Sequence, residues 1–331
     1  MTGPGYATPA HRRAGLPARR SSFEASRPLY WHNGCQPTNR RQPMSTLQVI
    51  GSRETDLGGF VVRRVLPAAG RQMVGPFIFF DHLGPTQFLP GAGIDVRPHP
   101  HIALATVTYL FAGSLEHRDS LGTVREIHPG DVNWMSAGQG IAHSERTPKA
   151  ARVAGEYVHG IQSWVALPDG QEDGEPSFMH HPAATLPTRA TDGIELTVIA
   201  GEAFGLRSPV VTLWPTVYLH ALFAHGATLD VAPDYGERAV YVVQGELAVG
   251  EMTVTAGQIA ILEPGEITRL RALGDARAMI LGGDEFPTPR YIWWNFVASS
   301  HERIEEAKQR WQRREFPAVP GETEYIPLPH Y

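Results

Sequence analysis

Two short stretches decide how this chain reads: RPHPH at 97–101 and GQGIAHSE at 138–145. The first carries His99 and His101, the second His143 and Glu145, and within each pair the side chains sit two residues apart. On a β-strand alternate side chains point to the same face, so each pair can aim two donors at one point. Three imidazoles and one carboxylate that meet there make a site for a divalent transition metal. A lone His-x-His is more often a pair of exposed or hydrogen-bonded core histidines. The second pair, which follows a glycine-rich turn, is what favours the metal.

Working outward, the segments between and around the two pairs read as short strands. TVTYLFAG at 106–113 is a continuous apolar strand, and SLEHRDSLGTVREIHPGDVNWMSAG reads as strand, turn, strand, turn, strand. Gly 34 and Pro 28 are high counts that supply the turns of an all-β chain. Regular short strands with such turns predict a sandwich or barrel over 44–170. Residues 171–193 are polar and read as a surface connection. A second β unit runs from about 194 to about 285 and repeats the order of the first, with GQIAILEPGE in the place of PGDVNWMSAGQG, but it has neither the His-x-His nor the His-x-Glu. The stretch SSHERIEEAKQRWQRREF is the one clear helix. Ser299 or Ser300 can cap it, and Ile304, Ala307 and Trp311 form a narrow apolar stripe that predicts packing against a sheet.

Residues 1–43 differ in kind. They hold seven arginines, with Glu24 the only acid, and no apolar period, so they read as a disordered leader with Met44 as the functional start. Their arginine and serine content superficially suits an organelle transit peptide. Over the whole chain of 331 residues, 42% are hydrophobic and 19% charged, which fits a globular protein. A formal net charge of -5 gives no electrostatic reason to expect nucleic acid as a partner. No apolar run approaches the roughly 18 residues that cross a bilayer. Cys35 is the single cysteine, so no intrachain disulfide forms, and the expected setting is the cytoplasm.

The remaining polar residues take plainer readings. His82, His117 and His159 lack paired neighbours and read as hydrogen-bonded core residues or neighbours of the site. His180 and His181 fall in the surface connection. His220 and His225 predict no second metal. Ser144 sits on no nucleophile elbow, and no phosphate-binding or dinucleotide-binding glycine motif occurs. Phe77, Phe79 and Phe80 are candidates for an apolar mouth of the site.

Taken together, HPHIALATVTYLFAG (99–113), HRDSLG (117–122) and HPGDVNWMSAGQGIAHSER (128–146) resemble the pirin family of the cupin superfamily. FVVRRVLP and GPFIFFDHLGP before them, and GIQSWVALP and PRYIWWNFVASSHERIEEAK after them, extend the likeness to roughly residues 48–330. The resemblance implies two tandem cupin domains of the double-stranded β-helix or jelly-roll type. The first, 44–170, would bind metal. The second, 194–331, would lack one and would include the C-terminal helix and tail. It implies one divalent ion per chain, Fe(II) first, with Mn, Co, Ni, Cu and Zn as competitors. The ligands would be His99, His101, His143 and Glu145, with Glu145 also the candidate base. It further implies a monomer acting as a quercetin 2,3-dioxygenase, which opens a flavonol with O2 and releases carbon monoxide. The alternative is a non-catalytic iron-binding regulator that acts through a protein partner. One position departs from the pattern: Ala105 stands where many cupins carry a glutamate, which removes any helper role for that acid.

Overall fold

The computed structural model describes residues 47–57 and 60–329; the leader at 1–43 and the start at Met44 lie outside them. Among the described residues the strands sort into two sheets of seven, two of four and two two-stranded ribbons. The first large sheet runs, edge to edge, Ser177–His181, Val132–Ser136, Leu104–Ala112, Glu156–Ala166, Phe77–Phe88, Val61–Leu66 and Arg53–Asp56. Its small partner runs Asp95–His101, Ile141–Arg146, Leu115–Asp119 and Val124–Ile127. The second large sheet runs Gln48–Gly51, Gln258–Ile261, Glu237–Gln244, Ala276–Gly283, Thr216–Phe223, Ile194–Ala200 and Thr188–Thr191, with Thr228–Val231, Thr268–Ala272, Glu246–Val249 and Met252–Thr255 as its small partner. The two orders match strand for strand. The weak repeat in the sequence is therefore a repeated topology, and the chain is all-β with two cupin-like β-sandwiches and a C-terminal helix.

The repeats exchange their leading strands. Gln48–Gly51 precedes the first sandwich but pairs with Gln258–Ile261 of the second. Ser177–His181 precedes the second sandwich but pairs with Val132–Ser136 of the first. Each covers a sheet edge that would otherwise present unpaired backbone groups. The stretch expected as a surface connection thus supplies a strand at 177–181, and its Glu172 is buried and accepts from the backbone N–H of Ser299 at 2.7 Å. A polar, proline-containing composition hides such a strand, because its inward residues are fixed by pairing and not by periodicity.

The two large sheets lie face to face. Val65, Phe77, Phe80, Val107 and Trp134 from the first share one core with Ile199, Tyr218, Tyr241, Met279 and Leu281 from the second. Inside the second sandwich the filling is aliphatic, with Leu196, Val198, Leu219, Val240, Leu247 and Leu270 among its members. The buried Arg238 clamps the loops of that half by donating to the carbonyls of Val231, Ala232, Glu263 and Glu266. Among the described residues no helix is long and apolar enough to cross a membrane.

The tail returns to the first sandwich. Phe296 bridges Ile102, next to the HPH strand, and the helix His301–Gln312 buries Ile304, Ala307 and Trp311 against Ile102, Ala103 and Ala142. The Ser300 side chain accepts from the Arg303 N–H and caps the helix, as its sequence predicts. Beyond the helix, Glu322 accepts from Ser144 Oγ and Arg146 Nε, each at 2.8 Å, and Ile326 N–H donates to the Pro98 carbonyl. The last segment of the chain therefore holds both metal-pair strands from outside.

Candidate metal centre

The small sheet of the first sandwich pairs Asp95–His101 with Ile141–Arg146 so that His143 lies opposite His99. The turn that leads into Ile141–Arg146 contains Gly138 at a φ of 48°, where an added Cβ would run into the Gly174 carbonyl, so the position accepts only glycine. The imidazoles of His99, His101 and His143 are buried, and their candidate donor atoms all lie within 4.8 Å of one another.

Hydrogen bonds fix which nitrogen of each ring faces the centre. His99 Nδ1 lies 2.9 Å from the Arg97 carbonyl, and His101 Nδ1 lies 3.0 Å from the Asn295 carbonyl. A carbonyl oxygen only accepts, so both Nδ1 atoms carry the proton and both Nε2 atoms present a lone pair. For His143 the same result comes through a relay. Asp119 Oδ2 accepts from His117 Nε2 at 3.0 Å, which leaves His117 Nδ1 bare to accept from His143 Nδ1 at 3.4 Å. His143 Nε2 is then bare as well, and it lies 3.0 Å from His101 Nε2. Asp119 is kept anionic. Burial pushes its carboxyl up, but the His117 contact and the Thr123 amide bring it below the usual range.

Two lone pairs facing each other at 3.0 Å with no proton between them call for a cation. That spacing is the edge made by two cis nitrogens at about 2.1 Å from one ion. Burial depresses His99 to about 4, and burial reinforced by the neighbouring histidines holds His101 and His143 well below the ordinary value. All three are neutral at neutral pH, as metal ligation requires. The donor set fits a divalent transition metal.

Glu145 is placed differently from the histidines. It follows His143 on the same strand, beyond a register shift, and is not a member of the compact cluster. Its Oε1 accepts from Gln162 Nε2 at 3.2 Å, and Gln162 in turn accepts from Thr108 Oγ1. Burial pushes the Glu145 carboxyl up, opposed by His117, Gln162 and Thr108. Of the three phenylalanines expected at the mouth, Phe77 and Phe80 point into the core between the large sheets, and Phe79 alone stacks on Trp164, at 4.0 Å between ring centres. A bulge in the pairing with Glu156–Ala166 breaks the simple alternation. Ala105 also faces the core between the sheets, so an acid at that position would point away from the histidines.

Comparisons with known proteins give the family and the fold. The Pirin family profile matches residues 59–165 and that of the pirin C-terminal cupin domain residues 218–317. A pirin-like protein of Caulobacter vibrioides is 46% identical, over 85% of this chain and 98% of its own length. The chain belongs to the pirin family. Pirin of Rattus norvegicus is 30% identical over 79% of this chain and 89% of its own. A crystal structure of quercetin 2,3-dioxygenase from Acinetobacter baumannii superposes with a TM-score of 0.80 at 34% identity, covering 86% of this chain and 95% of that one. Against the pirin pattern expected from sequence, the partners that reasoning from the sequence missed are Asp119, Gln162 and the Asn295 carbonyl. His117-x-Asp119 has the same two-residue spacing as the ligand pairs and was legible; the carbonyl of Asn295 left no sequence signal.

Proposed function

We propose that this pirin is a metal-dependent oxygenase of the quercetin 2,3-dioxygenase type, which opens a flavonol with O2. The supporting observation is the convergence of three bare Nε2 atoms, each oriented by its own Nδ1–H bond. In this reading His99, His101, His143 and Glu145 hold one divalent ion, Fe(II) first. Such an ion, when bound, supplies Lewis acidity that favours loss of a proton from a substrate hydroxyl. Likeness to the Acinetobacter baumannii enzyme supports the choice of substrate.

The chain's own groups have distinct tasks. Glu145 accepts the hydroxyl proton at its carboxylate, and burial, by raising its affinity for a proton, suits it to that role. Gln162 fixes the carboxylate by donating to Oε1. Trp164 stacks on Phe79 and meets the His101 ring edge-on at 5.0 Å, so it offers a planar apolar wall beside the centre. That wall orients an aromatic substrate and excludes water. Arg64 covers Phe79 at 4.4 Å and is held by Asp81 through two bonds of 2.8 Å.

Oxygen uptake and loss of flavonol absorbance, measured on iron-loaded protein, test the reading. Turnover is expected with the native chain and its loss with His101→Ala. Turnover that survives His101→Ala, or none with any of the candidate metals, refutes it.

A further inference from the structure

A second polar cluster lies between the two large sheets, on the far side of the first sheet from the metal centre. His82 and His159 come from the first sheet, His220 and Tyr241 from the second. Arg63 Nη2 donates to His82 Nε2 at 3.2 Å and to the Gly84 carbonyl at 2.9 Å. A guanidinium only donates, so His82 Nε2 is bare, and its Nδ1–H donates to Tyr241 Oη at 2.8 Å. His159 Nε2, 2.7 Å from His82 Nε2, must then carry its own proton. Across the seam, Tyr109 Oη from the first sheet lies 3.0 Å from His220 Nδ1. His220 Nε2 and Arg277 Nε are buried nitrogens with no partner.

The account is one-sided. The Tyr241 hydroxyl, having accepted from His82, and the Arg277 Nε–H have no acceptor, the buried His220 Nε2 has no partner, and both guanidinium groups bear on His82 and His159. Among the described residues no carboxylate forms an ion pair with Arg63 or Arg277. Glu54 lies opposite Arg63 in the strand ladder but makes no ion pair with it. Arg277 lies over the Phe111 ring at 4.7 Å. Unpaired buried donors, and two guanidinium groups beside one histidine pair with no carboxylate between them, are costly unless an anion completes them.

We propose that this seam is an anion site, in which Arg63 from one sandwich and Arg277 from the other grip a compact oxyanion of the phosphate type. Guanidinium groups match the geometry of phosphate oxygens, and the bonds are charge-assisted. Because the two arginines belong to different halves, the ligand bridges the sandwiches. It does not depend on the metal centre, which lies on the opposite face of the first sheet.

Calorimetric titration of the full chain with inorganic phosphate, at constant ionic strength, tests the assignment, with acetate as the monoanion control. Saturable binding in the region of about 1 mM or tighter is expected for phosphate, and at least about tenfold weaker binding in Arg277→Gln or Arg63→Gln. His101→Ala protein should bind phosphate as the native chain does, which separates the seam from phosphate captured by a metal. Two variants on different sheets guard against one failing to fold. No saturable binding, binding unchanged in both arginine variants, or binding lost with His101→Ala overturns the proposal.

Discussion

Acid should weaken this protein through the seam, and the size of the effect follows from the buried histidines. His82 has no exposed surface and is depressed from 6.5 to about 2, by burial first and then by Arg63, His159 and Arg277. His159 is 6% exposed and is depressed to about 4, by burial, Arg277 and Arg63. In the unfolded chain both titrate near 6.5, so between that pH and the folded values the unfolded state binds more protons. Stability is then fully present above about pH 6.5 and falls as the pH drops toward the folded values. At about pH 5 each unfolded histidine has gained about 2 kcal/mol of protonation free energy that its folded counterpart has not. The pair therefore removes about 4 kcal/mol between about pH 8 and about pH 5, a large part of a typical domain's stability. The two sandwiches share one core, so they should unfold together and report a single transition. Urea unfolding across this range, on native protein and on His82→Gln/His159→Gln, measures the slope. Near pH 5 the variant's slope should be shallower than the native one by about 1.4 kcal/mol per pH unit for each histidine removed. A variant that starts less stable but keeps the native slope refutes the reasoning.

Three further outcomes follow from named contacts. Gly138→Ala forces a left-handed backbone and a clash with the Gly174 carbonyl, so thermal unfolding should show a loss of about 2 kcal/mol or more. Asp119→Asn places an N–H against His117 Nε2, which moves the His117 proton to Nδ1 and the His143 proton to the metal-facing Nε2. Metal affinity measured by competition with a chelator should fall about 10–100-fold. Arg238→Met strips donors from four buried or half-buried carbonyls, and urea unfolding should register a loss of about 3 kcal/mol or more.

By itself the sequence determined a good deal. Alternation on strands placed His99 with His101 on one face and His143 with Glu145 on another, because a period of two is a local property that needs no tertiary contact; strand pairing then brought His143 to the first pair and left Glu145 outside the compact cluster. The helix, its Ser300 cap and its stripe of Ile304, Ala307 and Trp311 were legible for the same reason. Everything that depends on which strands become neighbours came from packing at a distance along the chain. The exchange of Gln48–Gly51 and Ser177–His181 between the sandwiches is one case, the seating of the tail on the HPH strand another. The bulge that turns Phe79 inward and leaves Phe77 and Phe80 between the sheets breaks the very periodicity that a sequence reading uses. The proton positions at the metal centre rest on the Asn295 carbonyl and on Asp119, groups whose roles come from strand and tail packing. The cluster at the seam is assembled from both halves of the chain, and residues such as Arg63 and Arg277 acquire a common chemistry only once the two large sheets meet.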